Sequence, residues 1–122
     1  MRHCVVVDDS SVVRKVARRI LEDLGFAVSE AEDGEQGLGI CQRVATDLVL
    51  VDWSMPIMDG VEFLTALRGE LPEAQQPKAI FCTSEYDVAQ IARAMRAGAN
   101  TYLMKPFERE HVEAKLHEIG FL

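Results

Sequence analysis

Leu48-Val49-Leu50-Val51 is an unbroken apolar run that stops on one carboxylate, Asp52, and passes at once into Trp53-Ser54-Met55-Pro56-Ile57-Met58-Asp59-Gly60. A run this short, closed by turn formers, reads as a strand buried on both faces. Such strands belong to parallel sheets sandwiched between helices, and these sheets carry their ligand crevice beyond the carboxyl ends of the strands. Asp52 therefore sits where chemistry is expected, and the rest of the chain has to supply its surroundings.

Three other segments behave in the same way, and a fourth alternates. Cys4-Val5-Val6-Val7 ends on Asp8-Asp9, with Ser10-Ser11 as helix starters. Val13, Ala17, Ile20 and Leu24 recur at helical spacing up to the stop at Gly25. Ala27 to Ala31 alternates like an edge or half-covered strand, and the following helix through Leu38, Ile40 and Cys41 is weakened by Gly37 and Gly39. Val61, Phe63, Leu64 and Leu67 predict a third helix, and Gly69 to Pro77 a long loop. Lys78-Ala79-Ile80-Phe81-Cys82 is a fourth strand ending on Thr83-Ser84-Glu85. Val88, Ile91, Ala92 and Met95 mark a fourth helix, stopped by Gly98. Thr101-Tyr102-Leu103-Met104 is a fifth strand ending on Lys105-Pro106-Phe107, and Val112, Leu116 and Ile119 mark the last helix.

Five strands alternating with five helices imply right-handed crossovers and one parallel sheet. The expected fold is α/β, doubly wound, in the flavodoxin-like strand order 2-1-3-4-5, one domain spanning residues 1–122. Acidic residues outnumber basic ones by 20 to 13, for a net charge of −7, which argues against a nucleic-acid partner. No apolar stretch reaches membrane-spanning length and no secretory leader is visible, so the expectation is a soluble, cytoplasmic protein without a membrane partner. Cys4, Cys41 and Cys82 lack metal-ligand spacing, and Cys4 and Cys82, inside apolar runs, read as small buried hydrophobes. His3, His111 and His117, without ligand spacing to one another, read as solvated surface residues.

Residues just past the ends of parallel strands share one rim, and here that rim collects Asp8, Asp9, Asp52, Thr83 and Lys105. Asp8-Asp9 alone would read as a helix-capping pair. Independent capping does not account for three carboxylates, an ammonium and a hydroxyl converging on one edge. Three carboxylates in one cleft repel unless a cation neutralises them, and hard oxygen donors favour Mg²⁺. A carboxylate beside such an ion, with Lys105 and Thr83 to meet the equatorial oxygens, is poised to attack phosphorus. Neither GxxxxGK[ST] nor GxGxxG occurs, so the phosphoryl donor has to come from outside.

Together Val7-Asp8-Asp9-Ser10, Val51-Asp52-Trp53-Ser54-Met55-Pro56-Ile57-Met58-Asp59-Gly60, Thr83-Ser84 and Lys105-Pro106-Phe107 make the chain resemble the receiver domains of bacterial two-component response regulators, over essentially its whole length. The resemblance implies that Asp52 accepts phosphate from a histidine kinase or phosphotransfer protein. It implies that Asp8, Asp9, Asp52 and the backbone carbonyl of Ser54 hold Mg²⁺, and that Lys105 pairs with the phosphoryl oxygens. Thr83 would move toward the phosphoryl group while Tyr102 swings inward. The fourth helix, fifth strand and fifth helix would form the face that binds a downstream protein, with the molecule a monomer or weak dimer. Lys105-Pro106 would be a cis peptide. Ser54 and Glu85, two residues after Asp52 and Thr83, stand where receivers tune the lifetime of the phosphate. The first helix, with Arg14, Lys15, Arg18 and Arg19 on a solvated face, is where receivers commonly dock the phosphodonor.

The resemblance implies a switch rather than an enzyme, with self-phosphorylation from donors and self-dephosphorylation as its only reactions. The competing reading is a Mg²⁺-dependent aspartyl-phosphate phosphatase or phosphotransferase acting on free substrates. Haloacid-dehalogenase-type enzymes need a second acid two residues past the nucleophile, where this chain has Ser54, and no cap insertion is present. A flavin-binding module fails on charge, because an acidic rim repels the cofactor phosphate. Asp59 reads as a helix cap and Trp53 as a shield or reporter of the site. The chain closing on Gly120-Phe121-Leu122 directly after the last helix favours a receiver without an output domain.

Overall fold

In the computed structural model, which describes residues 1–122, the strands are β1 (Arg2–Val7), β2 (Phe26–Ala31), β3 (Leu48–Asp52), β4 (Lys78–Thr83) and β5 (Thr101–Met104). The helices are α1 (Ser11–Asp23), α2 (Gly34–Arg43), α3 (Gly60–Glu70), α4 (Val88–Ala97) and α5 (Arg109–Glu118). All strand pairs are parallel and the order is β2-β1-β3-β4-β5, as the alternation requires.

Alternation along the central strands divides the core into two layers. Val5, Val7, Val49, Val51, Ala79 and Phe81 face Phe63, Leu64 and Leu67 of α3, with Leu38 and Cys41 of α2 and Ala94 of α4. Cys4, Val6, Leu48, Leu50, Ile80, Cys82 and Leu103 face Ala17 and Leu21 of α1 and Val112 and Leu116 of α5. All three cysteines are buried, and burial raises the thiol pKa of each, which suits packing and not nucleophilic chemistry.

Four sequence expectations change. The apolar residues that mark the fourth helix do not all face the core: Val88 is 68% and Met95 41% exposed, Ile91 and Ala92 are half-buried, and Ala94 is the buried residue of α4. Periodicity finds an apolar face but does not say whether the core or solvent lies opposite. Gly37 is not a soft spot, because a Cβ there would lie 2.8 Å from Val7 Cγ2 and 3.2 Å from Phe63 Cε1. The glycine lets α2 pack closely on β1, whereas Gly39 would meet only the end of Arg43. The loop predicted from Gly69 is shorter, since α3 continues to Glu70 and Glu73–Gln75 form a 3₁₀ turn. Gln76 amide donation to the carbonyls of Leu67 and Leu71 ties that loop down. His3 is half-buried, with Nε2 2.8 Å from Ser29 Oγ and Nδ1 3.2 Å from Thr46 Oγ1.

Candidate functional site

Register explains why the rim residues meet. Val7 pairs with Val51, Asp52 with Cys82, and Thr83 with Met104, so the residues following β1, β3, β4 and β5 emerge side by side. Carboxylate oxygens of Asp8, Asp9 and Asp52 all lie within 4.8 Å of one another. Asp8 and Asp52 are buried and Asp9 is exposed. Lys105 crosses from beyond β5, its Nζ donating to Asp8 Oδ2 at 2.7 Å and to Asp52 Oδ1 at 2.8 Å. The Lys105-Pro106 peptide bond is cis, as expected.

Asp8 is held by local structure. Ser10 is the N-cap of α1, its hydroxyl accepting from the Val13 amide, and its own amide donates to Asp8 Oδ1 at 2.8 Å. Capping is thus the task of Ser10, which leaves Asp8 and Asp9 to the cleft. Arg14 donates from Nη1 to the Asp8 carbonyl at 2.6 Å and from Nε to Glu30 at 3.1 Å, and Arg18 binds the same carboxylate at 2.7 Å. The basic side of α1 is therefore partly engaged, and nothing in the sequence pattern distinguished Arg14 from its solvated neighbours.

Below Asp52 the chain turns sharply. The Gly60 amide donates to the Trp53 carbonyl at 3.0 Å, and a Cβ at Gly60 would lie 2.5 Å from the Asp52 carbonyl oxygen. Asp59 and Glu62 form a reciprocal capping box at the start of α3, the role expected of Asp59. Ile57 in this turn has φ +72° and is 74% exposed, a costly conformation for a β-branched residue.

Burial raises the pKa of Asp52, the Lys105 hydrogen bond opposes that, and the negative charge of Asp8 adds to the rise; the outcome is upward. For Lys105 burial works downward, but hydrogen bonds to Asp52 and Asp8 outweigh it and the ammonium is held charged. Three carboxylates against one ammonium leave an excess of negative charge on hard oxygen donors, a set that fits a divalent cation such as Mg²⁺.

Thr83 is buried, and its hydroxyl lies 3.2 Å from Gln90 Oε1 of α4 and 3.2 Å from the Glu85 carbonyl while accepting from the Glu85 amide. The hydroxyl is thus engaged with α4 and the β4–α4 turn. Trp53 is half-buried, edge-on to Phe81 with centroids 5.6 Å apart, and carries the Arg93 guanidinium 5.4 Å from its ring centroid. Tyr102 is half-buried on β5, 6.3 Å from Tyr86 and beneath Lys115 Nζ at 4.4 Å. Ser54 and Glu85, two residues beyond Asp52 and Thr83, are exposed. Gln90 and Arg93 were invisible to the sequence reading, since they become neighbours of the site only when α4 folds over β4.

Beside Lys105, Val12, Val13 and Val16 of α1 and Pro106 and Phe107 line an apolar groove of about 320 Å³. A larger surface cavity, about 600 Å³, lies against the α2–β3 loop and the Glu73–Gln75 turn, away from Asp8, Asp9 and Asp52. No helix is long and apolar enough to cross a membrane.

Comparison with known proteins agrees with this geometry. Residues 4–117 match the family model described as response regulator receiver domain. Chemotaxis protein CheY-3 of Vibrio cholerae is 35% identical over 116 residues, which cover 94% of this chain and 88% of that protein. The structure of Vibrio cholerae chemotaxis protein CheY4 superposes with a TM-score of 0.90 at 30% identity, covering 98% of each chain. The receiver domain of the sensor histidine kinase PA1611 from Pseudomonas aeruginosa, with a magnesium ion coordinated in its active site cleft, gives a TM-score of 0.85 at 26% identity over 96% of this chain and 95% of that one. With a matched family model over nearly its whole length, the expected strand order, and an acidic cleft where β1 and β3 end, the chain belongs to the response regulator receiver domain family.

Proposed function

We propose that this receiver is a phosphorylation-controlled signalling switch in which Asp52 takes a phosphoryl group from a phosphohistidine of a kinase or phosphotransfer protein. The observation that carries the reading is the cluster of Asp8, Asp9 and Asp52 within 4.8 Å, bridged by Lys105. An Asp52 carboxylate oxygen attacks phosphorus, the P–N bond breaks, and the imidazole leaves and takes up a proton. Asp8, Asp9, Asp52 and the Ser54 carbonyl would hold Mg²⁺, which supplies neutralisation of the phosphoryl oxygens. Lys105, already 2.8 Å from Asp52, would transfer its hydrogen bond to one of those oxygens.

Transfer places new negative charge beside Thr83, whose hydroxyl turns toward it. Tyr102 follows inward, and the exposed face of α4, β5 and α5 changes for a downstream protein. Ser54 and Glu85 are the positions that set hydrolysis of the aspartyl phosphate. The groove between α1 and Pro106-Phe107 adjoins Lys105 and would receive the donor protein, with Val12 69% and Val16 45% exposed. The net charge of −7 speaks against nucleic acid as a direct partner.

The test is intact-mass measurement after incubation with Mg²⁺ and acetyl phosphate. Wild type gains one phosphoryl group and Asp52→Asn gains none. Absence of labelling in wild type, or equal labelling of both proteins, overturns the reading. Asp9→Ala weakens Mg²⁺ binding, measured as reduced quenching of Trp53 fluorescence.

A further inference from the structure

We infer that Gln90 is a positioning residue that restrains Thr83 in the resting state and thereby slows phosphorylation of Asp52; this rests on Asp52 being the phosphoacceptor. The Thr83 hydroxyl has one proton, and the structure sets two acceptors at the same distance from it. These are Gln90 Oε1 and the Glu85 carbonyl, both at 3.2 Å. Both contacts are long for a hydroxyl donor, whose bonds to oxygen usually fall near 2.7–2.8 Å. A proton committed to α4 and its preceding turn cannot also be given to a phosphoryl oxygen on Asp52. Phosphorylation has to draw this proton away from Gln90 and the Glu85 carbonyl, and the charge-assisted bond that replaces their contacts is the stronger one.

The placement of α4 gives this contact leverage. Ala94 is the fully buried residue of the helix, while Val88 and Met95 are exposed. Its C-terminal end is fastened independently, because the guanidinium of Arg68 in α3 donates to the Gly98 carbonyl at 2.8 and 3.0 Å. At the other end, Gln90 and Arg93 lie one turn apart and reach Thr83 and Trp53 respectively. With the C-terminal end pinned and Val88 and Ala89 of the first turn exposed, the side-chain contact of Gln90 with Thr83 ties the first turn of α4 to the site.

The closing experiment is a double-mutant cycle on acetyl phosphate labelling at saturating Mg²⁺. Gln90→Met keeps the length of the side chain and removes the amide acceptor. It accelerates labelling of the wild-type background by about three- to tenfold, the worth of one neutral hydrogen bond. In a Thr83→Ala background, where no hydroxyl is left to restrain, the same substitution has no effect on the rate. Gln90→Ala changes the rates in the same direction and replaces the methionine variant should that fold poorly. Equal acceleration in both backgrounds, or none in the first, overturns the restraint while leaving the acceptor reading standing. No labelling of wild type overturns the acceptor reading and the restraint with it.

Discussion

Lys105 Nζ lies 2.8 Å from Asp52 Oδ1 while also donating to Asp8, so one ammonium neutralises carboxylates from two neighbouring strands. Those carboxylates repel each other when the ammonium is removed. Lys105→Met should cost about 2 kcal/mol of stability in metal-free buffer. This is below the 3–5 kcal/mol typical when one partner of a fully buried pair is lost, because 17% of the Lys105 side chain is exposed. Millimolar Mg²⁺ should return part of the loss, read from urea denaturation with and without the ion.

Glu30 provides a pH test remote from the cleft. Burial alone raises its pKa, but hydrogen bonds from Arg18 and Arg14 overcome this and the carboxyl sits below its ordinary range. A depressed folded-state pKa contributes stability above the unfolded value, and that contribution is lost as pH falls through the folded one. Glu30→Gln should therefore cost about 1 kcal/mol near neutrality, kept small by solvent screening of partly exposed partners. The difference from wild type should narrow as pH falls below the ordinary carboxylate range, read from thermal melts.

The paired glycines of α2 should respond oppositely to the same substitution. Alanine is about 1 kcal/mol better than glycine inside a helix. At Gly39 its Cβ meets only Arg43 Nη1 at 3.2 Å, a flexible end that can yield, and Gly39→Ala should stabilise by about 1 kcal/mol. At Gly37 the Cβ collides with Val7 and Phe63, and Gly37→Ala should destabilise by about 1–3 kcal/mol. Chemical denaturation of the two variants decides between packing and propensity.

Ile57 holds a left-handed conformation with its side chain 74% exposed, so replacing it removes strain at little cost in buried apolar area. Ile57→Asn should add about 1 kcal/mol and raise Tm by about 4 °C, because asparagine tolerates this conformation far better than a β-branched residue. An unchanged or lower Tm would count against strain in this turn.

Much of the site was legible beforehand because strand ends in a parallel sheet are few and share one rim. Asp8, Asp52, Thr83 and Lys105 each follow an apolar run, and the run marks the strand whose end they occupy. Gln90 and Arg93 follow no such run. They lie on a helix, and which of its faces meets the cleft depends on how α4 is rotated over β4. The same rotation leaves Val88 and Met95 exposed while Ile91 and Ala92 are half-buried.

The sequence by itself determined the alternation of strands and helices, the strand order it implies, and the set of charged residues at one rim. Those features are local: short-range hydrophobic periodicity, turn residues and the direction of parallel strands. Only the tertiary structure decided that Lys105 spans Asp8 and Asp52, that Gly37 is a packing contact, and that the Thr83 hydroxyl is held by Gln90. These are distances between residues remote in the chain, set by register and by helix rotation on the sheet, and no local pattern encodes either.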